Sequence, residues 1–117
     1  MKPPALFFAL ALVVTHSYAQ ERVVMPGPAV YKCTHWLDAK EGGARSGLAL
    51  WVLGFVSGSN FRSANSGSQA KVPDNMSALA FADKYCLENP QQTLDQLSVA
   101  LVENFGGPKS KHALNQR

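Results

Sequence analysis

The sequence predicts an exported, all-α protein: a compact bundle of about four helices stapled by one disulfide bond. Three observations predict it. Apolar residues recur at helical spacing in four segments, and no segment shows the alternating period of a strand. The chain also has two cysteines, far apart, and exported domains of this size commonly pair their cysteines.

The first nineteen residues have the layout of a secretory signal peptide. Lys2 supplies a positive charge, and residues 5–14 form an unbroken apolar stretch. Within residues 17–19, Ser17 and Ala19 place small side chains at the two positions that signal peptidase reads. The alternative is a transmembrane anchor, which needs about 20 apolar residues. We therefore predict a signal peptide over residues 1–19 and a periplasmic or secreted mature chain that begins at Gln20.

The charge balance argues against nucleic acid as a partner. The chain has 11 Lys and Arg against 8 Asp and Glu, and loss of the signal peptide removes one of the basic residues. No run of basic residues or basic stripe interleaved with aromatics remains. The sequence therefore predicts no nucleic-acid binding and no stable membrane insertion, and it leaves proteins as the expected partners.

The cysteines allow one pairing, Cys33 with Cys86. The alternatives are a catalytic thiol or a metal site, but there is no CxxC pair, and Cys33 with His35 gives too few ligands. A bridge between the two would close a loop of about fifty residues and stabilise the fold by roughly 4 kcal/mol.

The mature chain begins with an extended segment and then a short helix. Proline at positions 26 and 28 predicts an extended lead-in over residues 20–30, followed by a helical domain over residues 31–106. We predict a first helix over about residues 31–40. Gly42 and Gly43 are expected to end it.

The second helix is predicted from an N-cap at Ser46 to about Phe61. It is apolar on most of its circumference, which is typical of a buried helix. Two apolar groups account for this pattern: Leu48, Trp51, Val52 and Phe55 on one side, and Leu50, Leu53 and Phe61 on the other. Gly54 and Gly58 lie one turn apart and resemble a membrane dimerisation motif. Their short host segment favours close packing against another helix of the same soluble domain.

A polar loop over residues 63–71 follows, and we expect it to be a mobile surface segment. The third helix is predicted from a cap at Asp74 to Glu88, wedged between neighbours because it is apolar on two faces. Asp83 lies within one of these faces, and a carboxylate there needs a partner. The alternatives are a structural contact, to Arg45, Arg62 or a helix N-terminus, or a functional acid.

The fourth helix has the clearest start signal. Thr93 and Gln96 form a capping box, and leucines at helical spacing follow it. Gly106 and Gly107 are expected to end this helix, and residues 107–117 are predicted to be a flexible tail.

The residues that could perform catalysis do not form a recognisable set. Ser57 lacks the nucleophile motif and the preceding strand that the motif requires, and His35 is expected to be a surface residue. Asp83 with His35 is the one acid–base pair that could be nominated. We therefore predict no catalytic residues, no cofactor and no metal site, and a protein that is not an enzyme.

Several segments together resemble a group of small uncharacterised exported proteins of Gram-negative bacteria. The match rests on Cys33 and Trp36, residues 51–60, residues 83–86, and residues 89–94. That group is faintly similar to the HdeA-like periplasmic acid-stress chaperones and to the Tai-type immunity proteins, which neutralise cell-wall hydrolases. The resemblance implies a helical, disulfide-bonded fold.

The resemblance also implies a function. The first hypothesis is a non-enzymatic protein-binding protein, a chaperone in the HdeA sense, whose partner is an unfolded client. The alternative is an immunity or inhibitor protein of the Tai type with one cognate partner. The first predicts that mild acid exposes apolar surface, and the second predicts a rigid fold at moderate pH.

Overall fold

The computed structural model describes Lys2 and residues 27–110. The described chain contains a 3-10 helix at Gly27–Val30 and four α-helices: α1 at Cys33–Asp38, α2 at Gly42–Arg62, α3 at Asn75–Glu88 and α4 at Leu94–Asn104. The predicted all-α bundle is therefore confirmed. Apart from Lys2, the predicted signal peptide lies outside the described residues, as does the end of the predicted tail.

The centre of the fold is α4, which packs against the 3-10 helix and against α1, α2 and α3. Its leucines recur every three or four residues, and this spacing puts them on one side of the helix. Leu94, Leu97 and Leu101 are completely buried there. The other fully buried large side chains include Trp36 of α1 and Val52 of α2.

A disulfide bond joins Cys33 at the start of α1 to Cys86 near the end of α3, with the two Cα atoms 4.9 Å apart. The predicted pairing is confirmed, and both cysteines are fully buried. The backbone beside the bridge is also tied to the start of α4. The Cys33 amide donates to the Gln92 carbonyl at 2.7 Å, and the Leu94 amide donates to the Tyr31 carbonyl at 2.9 Å.

Two helix starts lie where the sequence predicts them. The Asp74 carboxylate accepts a 2.7 Å hydrogen bond from the Ser77 amide and caps α3. At α4, the Thr93 amide donates to Oε1 of Gln96 at 2.9 Å within a complete capping box. In both cases the side chain satisfies backbone donors that the first turn of a helix leaves unpaired.

The boundary between the first two helices differs from the prediction. Gly42 and Gly43 belong to the first turn of α2 and do not end α1, which stops earlier at Asp38. Gly42 has φ +77°, a conformation that glycine adopts without strain and that turns the chain into α2. Ser46 is therefore not the cap, and its hydroxyl donates to the Gly42 carbonyl at 3.1 Å.

The lead-in was also predicted incorrectly where the structure describes it. Residues 27–30 form a 3-10 helix, with the Tyr31 amide bonded to the Pro28 carbonyl at 3.0 Å, in place of the predicted extended chain. Proline is tolerated in the first turn of a helix because its missing N–H would have no partner there. Ala29 of this turn is buried.

The prediction that α3 lies between neighbours is correct, since it packs against α1, α2 and α4, but its two apolar faces are not both buried. The fully buried side carries small residues that let α3 approach the core closely: Ala78, Ala82 and Cys86. Met76 and Leu87 are instead 73% and 70% exposed. Apolar composition alone did not show that these two side chains lie on the solvent side.

The polar loop and the described start of the predicted tail, residues 107–110, are hydrogen-bonded in the structure. The end of the polar loop is fixed by Asn60, which exchanges two hydrogen bonds with the backbone of Ala70 at 3.0 and 2.8 Å. Ala70 is itself buried. The start of the predicted tail folds back on α4, since the Gly107 amide donates to the Val102 carbonyl at 2.8 Å. No helix within the described part of the chain is long and apolar enough to cross a membrane.

Candidate functional site

The most distinctive surface is one side of α2, here named the outer face and defined as Gly47, Leu50, Gly54, Gly58 and Phe61. At 100° per residue, these five positions fall within an arc of about 80° on the helix. The opposite side of α2 supplies the core residues Leu48, Val52 and Val56. The outer face therefore points away from the rest of the bundle.

The glycines of the outer face have open space beside them. Beyond the glycine's chain neighbours and the backbone of α2 itself, a Cβ atom built on Gly47, Gly54 or Gly58 meets no heavy atom of the described residues within 4 Å. The prediction that Gly54 and Gly58 bring another helix of the domain into close contact was therefore wrong. The two glycines do share a side of α2, but they lie opposite Val52, and the bundle packs on the Val52 side.

The two large side chains of the outer face are in solvent. Leu50 is 68% exposed and Phe61 is 86% exposed. This result corrects the prediction that α2 is buried on both sides. Residues 46–61 contain no charged side chain, so the outer face is uncharged along its whole length. Large exposed apolar residues without surrounding charge are typical of surfaces that bind another molecule.

Packing and hydrogen bonds hold the outer face in place. On the core side of α2, Val52 is completely buried and Val56 nearly so. At the end of the helix, Asn60 bonds to the Ala70 backbone, next to Phe61. A binding surface on a helix fixed in this way loses little conformational freedom when a partner covers it.

A second cluster joins α1, α2 and α3 through polar side chains. The indole Nε1 of Trp36 donates to Oδ1 of Asp83 at 2.8 Å, and Nη2 of Arg45 donates to the same oxygen at 2.6 Å. Arg45 also donates through Nη1 to the Trp36 carbonyl at 3.2 Å, and its guanidinium carbon lies 3.9 Å from the centroid of the indole ring.

This cluster gives Asp83 the structural contact that was one of its two predicted alternatives, with Arg45 as the partner. The carboxylate is bonded to Trp36 and Arg45 and lies at the surface, where its side chain is 53% exposed. An acid held by two donors is suited to joining helices. Because Arg45 occupies the face of the indole, Trp36 is not available as an exposed binding residue.

The nominated acid–base pair does not form. Within the described residues, His35 has no hydrogen bond or ion pair with Asp83, and its ring stacks on Tyr31 with centroids 5.2 Å apart. General acid–base catalysis requires groups within hydrogen-bond reach of the reacting atoms. Among the residues that the structure describes, no three His, Cys, Asp or Glu side chains cluster in a way that could hold a metal ion.

Among the titratable groups of residues 27–110, two have shifted pKa values, and neither lies on the outer face. The hydrogen bond from the Ser77 backbone lowers the pKa of Asp74, the cap of α3. Burial raises the pKa of the Tyr85 phenol, and the nearby negative charge of Asp95 raises it further. The first shift therefore follows from the cap of α3, and the second follows first from the burial of Tyr85.

Further apolar side chains are exposed near the disulfide. Val30 and Tyr31, before α1, are 72% and 45% exposed, and Leu87 follows the bridged Cys86. These residues are scattered over several elements, whereas the outer face of α2 is continuous along one helix. Sequence reasoning missed the outer face because periodicity shows which residues share a side but not which side packs inward.

Comparison with known proteins found no match: no protein-family model, no curated protein and no solved structure matches this chain.

Proposed function

We propose that this protein is an exported, non-enzymatic protein-binding protein, and that it binds its partner through the outer face of α2. The observation that carries the proposal is the exposure of Leu50 and Phe61 on one uncharged side of a well-packed helix. Such a surface is attracted to apolar side chains of a partner, because contact removes both sets from water.

The proposed partner is an unfolded or partly unfolded client, as for an HdeA-like chaperone. Unfolded chains expose apolar side chains of varied size. A face with two large residues separated by open glycine positions can accept such varied side chains beside Leu50 and Phe61. The predicted signal peptide and the Cys33–Cys86 bridge support a periplasmic or secreted location, since disulfides persist in oxidising compartments.

The experiment is light scattering of an aggregation-prone client, with and without the oxidised protein, as the pH falls from about 7 to about 2. We expect the protein to suppress aggregation. We expect the variant L50S/F61S to suppress it much less, since both large contacts are removed. The matched control is Leu87→Ser, which removes an equally exposed leucine from α3.

Each outcome discriminates among the proposals. If the L50S/F61S variant still suppresses aggregation, the client must bind elsewhere on the molecule. Absence of suppression at every pH would reject the chaperone proposal. In that case, affinity capture of one specific partner, lost in L50S/F61S and retained in the Leu87→Ser control, would support the immunity-type alternative.

A further inference from the structure

The outer face of α2 is symmetrical about Gly54 in one respect. Gly47 and Phe61 lie seven residues on either side of it, and Leu50 and Gly58 lie four residues on either side. In each pair, one member is a large exposed side chain and the other is a glycine with open space beside it.

We propose that this face binds the same face of a second copy of the chain, with the two α2 helices antiparallel and crossing at Gly54. In that arrangement Phe61 lies against the other copy's Gly47, and Leu50 lies against the other copy's Gly58. The interface is isologous, because each contact occurs twice about a two-fold axis. The inference rests on the proposed function, since it names a partner for the same face.

The pattern of the outer face favours the antiparallel direction. In a parallel pair crossing at Gly54, Leu50 would lie against Leu50 and Phe61 against Phe61, so no large residue would face a glycine. The exposed Arg62 side chains would also lie side by side in a parallel pair, whereas in the antiparallel pair each lies opposite Ser46 of the other copy. Residues 46–61 carry no charge that would have to lose its water on contact.

The glycines of the outer face also favour a partner that packs against it. Glycine lowers the stability of a helix interior relative to alanine, and nothing within the described chain uses the space at Gly47, Gly54 and Gly58. At the crossing point, two glycines allow two helix backbones to approach more closely than the usual separation of about 8–10 Å between helix axes.

The size of the contact predicts a weak dimer. Residues 47–61 span about 21 Å of helix, at roughly 1.5 Å per residue. One helix side of that length buries less than the roughly 800 Å² per partner of a standard stable interface. We therefore expect a dimer that dissociates on dilution and leaves the face available to other proteins.

The test is analytical ultracentrifugation of the oxidised chain over about 1 μM to 1 mM, the range in which weak dimers dissociate. We expect a monomer–dimer equilibrium.

Gly54→Leu is expected to raise the dissociation constant at least about tenfold, because two leucines would collide at the crossing. The site is open in the single chain, so circular dichroism should show an unchanged fold. The control, Ala80→Leu, adds a leucine at an exposed position of α3.

An exchange of residues tests the antiparallel register. Gly58→Leu alone sets the introduced leucine of one copy against Leu50 of the other and is expected to weaken the dimer at least about tenfold. The double variant L50G/G58L exchanges the leucine and the glycine, so a leucine again lies against a glycine. We expect its dissociation constant to return to within about threefold of the original.

Several outcomes would overturn the proposal: a monomer at every concentration, a dimer that Gly54→Leu leaves intact, or failure of the exchange to restore a dimer lost in Gly58→Leu. A dimer that disappears when residues 1–19 are removed would assign the contact to that segment and reject the α2 interface. Client binding without a dimer would reject this inference alone, and a dimer without client or partner binding would reject the proposed function alone.

Discussion

The indole nitrogen of Trp36 donates a 2.8 Å hydrogen bond to the Asp83 carboxylate, and this bond joins a completely buried side chain of α1 to a surface acid of α3. Arg45 of α2 bonds to the same carboxylate oxygen and covers the indole ring. Three helices thus meet at one carboxylate. The contact therefore links the first turn of α2 to α1 and to α3, the two helices that the disulfide joins.

Loss of the Asp83 carboxylate should weaken the fold. In Asp83→Ala the buried Trp36 N–H has no acceptor, and such a loss costs about 1–3 kcal/mol. Urea unfolding is the measurement. The control is Glu88→Ala, an exposed acid on the same helix, which should change stability by less than about 0.5 kcal/mol. Equal effects in the two variants would contradict a special role for the Trp36–Asp83 bond.

The disulfide should supply a large part of the stability. The variant C33S/C86S opens a loop between residues 53 positions apart, and the chain-entropy argument gives a loss of about 4 kcal/mol. Guanidinium unfolding of the variant and of the oxidised protein measures the difference. Thiol titration of the oxidised protein is the control, because free thiols there would contradict the bridge itself.

Stability should fall in acid partly through Asp74. Its pKa is lowered in the folded state by the Ser77 backbone hydrogen bond, so its contribution is present above the unfolded pKa and is lost as the pH falls through the folded pKa. We expect Asp74→Ala to be less stable than the natural protein at neutral pH, with the difference vanishing in strong acid. Thermal unfolding across this range is the measurement, and a difference independent of pH would contradict the prediction.

Two glycine-to-alanine changes should act in opposite directions. Gly58→Ala fills open space in an exposed helix and should stabilise the single chain by about 0.5–1 kcal/mol. In Gly107→Ala the new Cβ would lie 2.5 Å from Cγ1 of Val102 and 2.8 Å from its carbonyl oxygen, and such overpacking costs about 1–3 kcal/mol. Urea unfolding at low protein concentration compares the two, and changes of the same sign would contradict the open space at Gly58 or the close contact at Gly107.

Local signals in the sequence determined the parts of the fold that depend on neighbouring residues. Asp74 and the Thr93–Gln96 pair marked the starts of α3 and α4, because a cap satisfies backbone donors within the next three residues. The leucines of α4 lie in the core as their spacing predicted. Because the chain has two cysteines, the Cys33–Cys86 pairing could be predicted without knowing the distance between them.

Tertiary structure alone decided which side of each helix faces inward. Leu48 and Leu50 are equally apolar and two residues apart, yet the first is buried and the second is 68% exposed. Periodicity groups residues on a side, but burial depends on which neighbour packs there, and the core lies on the Leu48 side of α2. For the same physical reason, glycines that suggested close packing inside the domain were found on its open surface.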